Sequence, residues 1–433
     1  MGLSIALAQQ LKFLLKLRKV MKDEILLHLN NPAQLEKLYR SDKSAFKRTF
    51  NTLQQDLEDN DLVSFWNERL NFSKEEINWG SRKELVFIIV ACLIAGFIAK
   101  FPQFFSIDEE FFYQRNIGFV MFPVLSAYFA WKNKLSAAKI SIVAGLMIIG
   151  LVFINFLPDV DKSDTTILSC IHLLLFLWAV SAFSFVGAQD NPEKRLGYLR
   201  YNGDLVVMTA LILIAGAILT GVTIGLFSLI GFNIEEFYFR NVGIVGLAAA
   251  PIVATYLTQS NPQLVGKVSP VIAKIFSPLV AVMLVIYLIA IIYSGKDPYN
   301  DREFLLIFNA LLIGVMAIIF FSVAETSTAT KSQAEIWILF LLCLITVIVN
   351  GVALSAILFR ISEWGITPNR AAVLGGNILI LINLLLVTAR IYRVISKKEE
   401  VSAVGRSIAF YLPVYAIWTI IVTFIFPLLF GFK

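Results

Sequence analysis

Long apolar runs, separated by short polar connections, recur along the chain from Leu85 to Phe430. Stretches such as 205–230 are apolar on every helical face, whereas the strands of a membrane barrel would alternate apolar and polar residues. A run of about 18 or more nearly uncharged residues is typical of a helix that crosses roughly 30 Å of hydrocarbon. The pattern predicts about eleven transmembrane helices, at residues 85–104, 117–131, 138–157, 166–187, 205–230, 241–258, 270–293, 304–323, 335–359, 371–392 and 407–430.

The chain before the first apolar run shows a different pattern. Leu35, Leu38 and Phe46 recur near helical spacing among charged residues, which indicates amphipathic helices with one apolar face. Asn31 and Pro32 have the residue types of a helix cap followed by the first helical position. We expect residues 1–80 to form a small helical segment in front of the membrane helices.

Composition agrees with this class of protein. Hydrophobic residues make up 58% of the chain and charged residues only 16%, with a mean hydropathy of +0.76. Soluble domains average about 45–50% apolar and about 25% charged residues, so a soluble fold could not bury this much apolar surface. We therefore predict an all-α, polytopic membrane protein. The three cysteines all lie inside apolar runs and are too scattered for a metal site, so no metal or cofactor is expected.

The net charge of +6 is distributed unevenly between the connections. No basic cluster is interleaved with aromatic residues, so nucleic acid is excluded as a partner and membrane lipids are the expected one, protein partners being unknown. Alternate connections are basic, as at 132–139 and 390–406, or acidic, as at 108–110 and 159–164. Basic loops face the cytoplasm, which predicts a cytoplasmic N-terminus and, after eleven crossings, an external Lys433.

A sequence repeat suggests an internal duplication. Residues 112–118 (FYQRNIG) match residues 237–243 (FYFRNVG), and each copy follows a pair of glutamates. If each copy spans four helices, both enter the membrane from the same side, which makes them parallel repeats. The prediction is one repeat at 85–187 and a second at 205–323, followed by three C-terminal helices at 335–430.

Three stretches resemble a known family. They are residues 35–40 (LEKLYR) with 65–70 (FWNERL), the duplicated segment, and residues 360–370 (RISEWGITPNR), although Trp364 stands where a tyrosine is more common. In these stretches the chain is similar to the bacterial multispanning membrane proteins of unknown function grouped as DUF4153, especially their Bacteroidetes members. The resemblance implies a location in the bacterial inner membrane, and no reaction, substrate or cofactor.

The duplicated segment is the first candidate site. An arginine at the outer end of a helix, beside an asparagine, adds to the positive helix dipole and suits an anionic group, and the duplication would place two such sites face to face. The alternative is an arginine–glutamate pair with an asparagine cap that fixes the chain at the interface. The candidate ligand-binding residues are Arg115, Asn116, Glu110, Arg240, Asn241 and Glu236.

The connection at residues 360–370 is the second candidate site. Thr367 and Pro368 suit the start of a helix, Gly365 permits a tight turn, and Glu363 can pair with either flanking arginine. This local structure is one interpretation, and a binding or gating loop is the other. The residues of this loop motif are Arg360, Glu363, Trp364, Thr367, Asn369 and Arg370.

Polar residues inside the predicted spans are few. Asn350 and Asn377 stand beside glycines, and both, with Asn383, are candidates to line a cavity, although hydrogen bonds between helices are the favoured explanation. No Asp, Glu, Lys or Arg lies near a predicted bilayer centre, which disfavours ion-coupled transport. No catalytic motif is found, which disfavours an enzyme.

Three functions remain open. The first is a permease or transporter for a small anionic or amphiphilic substrate, with a cavity between the two repeats. The second is a scaffold or envelope sensor that does not transport and signals through residues 1–80. The third is a lipid-modifying membrane enzyme, whose external acid or base would be one of the glutamates of the duplicated segment.

Overall fold

A computed structural model of the chain describes residues 21–29, 31–53, 61–71, 80–160, 163–187, 191–229, 232–262, 277–286, 288–289, 302–326 and 333–432. Across these ranges the backbone is helical and contains no strand. The chain divides into two compact units, Met1–Ile77 and Asn78–Lys433. The predicted external Lys433 lies outside the described residues.

The first unit contains helices α1 (Pro32–Ser41), α2 (Lys43–Leu53) and α3 (Asp61–Asn71). Asn31 caps α1 by accepting a hydrogen bond from the backbone N–H of Gln34 at 3.3 Å. The apolar faces of these helices meet in a core around Phe46 and Trp66, both of which are buried. On the rim, hydrogen bonds from Arg40 and Arg69 lower the pKa of Glu36.

The second unit begins with α4 (Arg82–Ala99), the short α5 (Phe101–Phe105) and α6 (Glu109–Lys132). The predicted continuous span at 85–104 is therefore wrong in detail, because the helix breaks after Ala99. Pro102 has no N–H to donate to the preceding turn, and Ser106 ends α5 in the left-handed conformation at φ 51°. This break turns the chain towards α6.

Nine further helices complete the described part of this unit. They are α7 (Ala137–Phe156), α8 (Asp164–Val186), α9 (Pro192–Leu229), α10 (Glu235–Ser260), α11 (Ser277–Ile286), α12 (Arg302–Thr326), α13 (Gln333–Trp364), α14 (Pro368–Ile395) and α15 (Ser402–Leu429). Two of them contain a π-helical turn, at Phe239–Gly243 in α10 and at Ile421–Ile425 in α15.

Seven of the described helices are long and apolar enough to cross a membrane: α7, α8, α9, α10, α13, α14 and α15. Shorter apolar helices lie at Ser277–Ile286 and Phe308–Ala324. The predicted span at 270–293 lies partly outside the described residues. The chain is thus an all-helical, multi-pass membrane protein by length and composition, while the count of eleven spans stays a prediction.

The helices of the second unit pack around three large apolar cores and a smaller one around Val422 and Phe426. One lies between α4, α6, α9 and α10 around Tyr128 and Ile252, and the second joins α6, α7 and α8 around Ile154 and Leu177. The third is formed by α9 and α12 to α15. Helix α4 packs against α10 although they belong to different predicted repeats, and the repeats themselves stay a prediction.

Close packing between α14 and α15 depends on one of two adjacent glycines. A methyl group at Gly375 would collide with the indole ring of Trp418, whereas one at Gly376 would meet no atom within 4 Å. Substituting each glycine by alanine therefore distinguishes the effect of a steric clash, at Gly375, from that of helix propensity alone, at Gly376.

We expect Gly375→Ala to lower the free energy of unfolding by about 1–3 kcal/mol, as overpacking does. The matched control, Gly376→Ala, should leave stability unchanged or raise it by up to about 1 kcal/mol through helix propensity. Thermal unfolding of the purified protein in detergent measures both. Equal effects of the two substitutions would contradict this packing.

Candidate functional site

A cleft of about 470 Å³ lies between α6 and α7 and reaches the end of α4 and the start of α5. We call it the α6–α7 cleft. Its volume falls within the roughly 300–1,000 Å³ of typical ligand pockets. It is lined by Ile98 and Phe101, by Phe112, Asn116, Phe119, Pro123, Ser126, Ala127 and Ala130 of α6, and by Ile140, Val143, Ala144, Met147, Ile148 and Leu151 of α7.

The cleft is long and narrow because of how the sequence spaces its lining residues. The residues of α6 recur every three or four positions and so occupy one helical face. From Phe112 to Ala130 this face extends about 27 Å at 1.5 Å per residue. A short turn after Lys132 reverses the chain, so that α7 runs antiparallel along the same face. A narrow slot of this length matches an extended hydrocarbon chain better than a compact solute.

Ser126 places a buried hydroxyl group in the wall of this apolar cleft. Its residue is 2% exposed, and its Oγ makes no hydrogen bond to any residue in the described part of the chain. Serine in a helix commonly bonds a carbonyl of the preceding turn, so this hydroxyl is unusual. Nearby, Pro123 cannot donate to the carbonyl of Phe119, which also lines the cleft. Unsatisfied polar atoms therefore lie just beneath the apolar surface partway along the cleft.

Two asparagines join α6 to α7 at the Phe112 end of the cleft. The Nδ2 of Asn116 donates to Oδ1 of Asn155 at 2.9 Å, and the Nδ2 of Asn155 donates to Oδ1 of Asn116 at 2.8 Å. This reciprocal amide pair satisfies both side-chain carbonyl oxygens and links the two helices. Asn116, a predicted binding residue, is thus a structural link whose side chain also lines the cleft.

Arg115 is buried beside this pair and caps the end of α7. Its guanidinium donates to the carbonyls of Ile154 at 2.8 Å and Leu157 at 3.0 Å, and lies 3.4 Å from Oδ1 of Asp159. Carbonyls at a helix C-terminus lack intrahelical donors and carry the negative end of the dipole. The guanidinium supplies both the missing hydrogen bonds and a positive charge at this helix end. It also lies over the Phe111 ring, with its Cζ 4.4 Å from the ring centroid.

The prediction that Glu110 forms an ion pair with Arg115 is wrong. Five residues on a helix separate two side chains by about 140°, whereas side chains meet at spacings of three or four. Asp159 on the following connection takes the place of Glu110.

In the second copy the spacing is four, and Glu236 pairs with Arg240 at 3.2 Å as predicted. This arginine side chain is 68% exposed. Asn241 accepts a hydrogen bond from Lys100 at 2.6 Å and donates to the carbonyl of Phe237. The duplicated residues therefore do not form two equivalent sites, because Arg115 is buried in a helix junction and Arg240 lies on the surface.

The connection at 360–370 is closed by its own contacts. Thr367 caps α14 and Gly365 adopts φ 75°, as the sequence predicts. Arg370 donates to the carbonyls of Trp364 at 2.8 Å and Gly365 at 2.6 Å, which caps α13.

Both arginines of this connection lie over the Trp364 ring, with Arg360 at 5.3 Å and Arg370 at 5.7 Å. The expected pairing of Glu363 with either arginine is wrong, since the exposed Glu363 forms no ion pair with them in the described structure. Asn369 lies in the first turn of α14. These contacts support the structural interpretation of the motif.

The three predicted cavity-lining asparagines are buried in the packed C-terminal helices and do not line the α6–α7 cleft. Asn377 donates to Asn309 at 2.8 Å and Asn383 donates to the Tyr415 hydroxyl at 3.1 Å. Among the described residues, no three His, Cys, Asp or Glu side chains are grouped as a metal ion would require.

Sequence reasoning missed Ser126 and the cleft. The only local trace was Pro123 inside a predicted span followed by Ser126 in the next turn of the same helical face, which does not reveal a gap between two helices.

The duplicated arginines offer a matched pair of substitutions. We expect Arg115→Gln to lower the free energy of unfolding by about 3 kcal/mol, because it removes charged hydrogen bonds from a buried helix end. Arg240→Gln should change it by no more than about 0.5 kcal/mol, since an exposed pair is weak. Chemical or thermal unfolding in detergent measures both, and similar losses would refute the distinction.

Comparison with protein-family models, curated proteins and solved structures finds no match for this chain. Its function therefore has to be inferred from its own geometry.

Proposed function

We propose that this protein is a membrane permease for an amphiphile whose apolar chain occupies the α6–α7 cleft. The observation that carries the proposal is the apolar cleft of about 470 Å³ with the buried, unpartnered hydroxyl of Ser126 in its wall. The cleft is open along one side, where Ile140 and Ile148 are exposed, so a hydrocarbon chain could enter it from the surrounding bilayer.

The shape and lining of the cleft support a single hydrocarbon chain as the apolar part. Its walls are aliphatic and aromatic along almost their whole length, and the polar exceptions are Asn116 at one end and Ser126 further along α6. A hydroxyl without a protein partner favours a ligand that can approach it with a polar group or a bound water. The ligand is thus an amphiphile rather than a pure hydrocarbon.

The charge at the Phe112 end supports an anionic head group. Arg115 precedes the cleft residue Asn116, and its Nε makes no hydrogen bond to a described residue. Its carboxylate partner, Asp159, is 84% exposed and therefore well screened by solvent. Arg115 is buried and does not line the cleft, so a carboxylate or phosphate head group at this end would be attracted by the positive charge of the junction rather than bind the guanidinium directly.

The setting of the cleft is part of the proposal. On the charge of the loops, we place residues 1–80 and the 388–406 connection in the cytoplasm of a bacterium and the C-terminus outside its inner membrane. The resemblance to DUF4153 and the two parallel repeats belong to the same proposal. In this orientation Arg115 lies towards the outer leaflet, where lipid head groups are available.

A scaffold or sensor is the second candidate function. The N-terminal unit favours it, because that unit has its own core around Phe46 and Trp66 and exposes Leu27 and Phe65 at 78% and 57%. Exposed apolar side chains on a small helical unit are suitable for contact with another protein.

Filling the cleft tests the permease. We expect Ala144→Trp to weaken binding of palmitate at least about tenfold, equivalent to about 1.4 kcal/mol, because the indole would occupy the slot. Leu146→Trp is the matched control, since Leu146 lies on the same helix but does not line the cleft. Native mass spectrometry of the purified chain with palmitate measures both variants.

Reconstituted vesicles separate the two functions. A permease should move palmitate across the bilayer faster than protein-free vesicles do, and Ala144→Trp should abolish the difference. Binding without accelerated movement would refute the permease and favour the scaffold. Equal palmitate binding by Ala144→Trp and Leu146→Trp would show that palmitate does not bind in the α6–α7 cleft.

A further inference from the structure

An unpaired amide lies in the middle of the third apolar core. Asn350 is 0% exposed, and neither its Oδ1 nor its Nδ2 hydrogen-bonds a residue in the described part of the chain. It stands on the buried stripe of α13 between Thr346 and Ala353. Buried amides are rarely left unpaired, because they give up their hydrogen bonds to water without replacement. This residue therefore indicates a bound polar group.

Asn383 on α14 is also incompletely hydrogen-bonded. It is 0% exposed, and its Nδ2 donates to the Tyr415 hydroxyl while its Oδ1 has no partner among the described residues. It too lies on the buried stripe of its helix, between Ile380 and Val387. Together, the two asparagines leave two carbonyl oxygens and one amide NH₂ unsatisfied.

The register of the α13–α14 hairpin places the two asparagines at the same level. At the turn Arg370 bonds the carbonyl of Trp364, and further along Cys343 lies beside Thr388. These two contacts bracket Asn350 and Asn383, which lie between them on antiparallel helices. Interpolation between the contacts brings Asn350 opposite Asn383.

We propose that a single water molecule binds between Asn350 and Asn383 and links α13 to α14. Water donates two hydrogen bonds and accepts at least one, which matches two oxygens and one NH₂. Buried waters typically make about three hydrogen bonds to groups that are otherwise unsatisfied. A bare cation would suit the two oxygens but would be repelled by the NH₂ group, and an apolar molecule would satisfy none of them.

The same bundle shows the contrasting arrangement nearby. Asn377 on α14 and Asn309 on α12 pair directly at 2.8 Å, with no third molecule needed. Asn350 and Asn383 form no such direct bond. The water would extend a chain of polar contacts from α13 through Asn383 to Tyr415 on α15. The inference is independent of the α6–α7 cleft and of any transport.

An experimental map of the full chain in lipid nanodiscs, at a resolution that shows ordered waters, tests the site directly. We expect a peak about 2.7–3.2 Å from Asn350 Oδ1, Asn350 Nδ2 and Asn383 Oδ1. The control is Asn377 and Asn309, between which no peak should appear. A direct amide pair, or asparagines too far apart for one water, would overturn the proposal.

Substitution provides a second measurement. Asn350→Leu should lower the melting temperature by a few degrees, because it displaces the water and leaves Asn383 Oδ1 unpaired. If no molecule binds there, the same change removes two unpaired polar atoms and the melting temperature should rise. Asn377→Leu is the control for breaking a direct amide pair and should lower it in either case.

A comparison of two salts distinguishes a bound water from a bound sodium ion. Melting temperatures in sodium chloride and choline chloride at equal ionic strength should agree for the wild type and for Asn350→Leu. A wild-type increase in sodium chloride that Asn350→Leu abolishes would replace the water with a cation.

Discussion

Polar groups inside the helical bundle have to find their hydrogen bonds within the protein, because hydrocarbon offers none. This constraint determines which helices are joined. Arg115 fixes α6 to the end of α7, the adjacent Asn116–Asn155 pair joins the same two helices at the same level, and Asn309 joins α12 to α14. Apolar packing fills the space between these links, but it does not by itself specify which helix lies beside which. The cleft lies along α6 and α7 between this junction and the short turn after Lys132.

The duplicated segment shows how strongly a shift of one residue changes the role of an arginine. In the second copy a glutamate lies four residues before Arg240 and neutralises it on the surface. In the first copy the residue four before Arg115 is Phe111, whose ring packs on the guanidinium instead. The charge then has to be satisfied by another helix. Nearly identical sequences thus give a surface ion pair in one copy and a buried helix junction in the other.

Hydropathy predicted the helical class and the approximate positions of the helices, since length and apolarity are properties of a single segment. The cap at Thr367 was also predictable, because its partners are close in sequence. The partner of Arg115 was not, since Ile154 and Asp159 are brought near it only by tertiary packing. The cleft around Ser126 was missed for the same reason: a gap between helices is a property of their arrangement and leaves no periodic signal in the chain.

The π-helical turn of α15 has a consequence for how this helix could change during evolution. A wide turn holds one residue more than a regular one, and that residue turns everything after it by about 100° around the axis. Here the turn lets Ser169 of α8 donate to the carbonyl of Thr423 at 2.9 Å and places Phe424 against Phe153 and Phe176. Deleting one residue from Ile421–Ile425 would keep the helix and its hydropathy but present a different side to α8. The neighbours of the last helix are therefore set by the number of residues that precede them as much as by their identity.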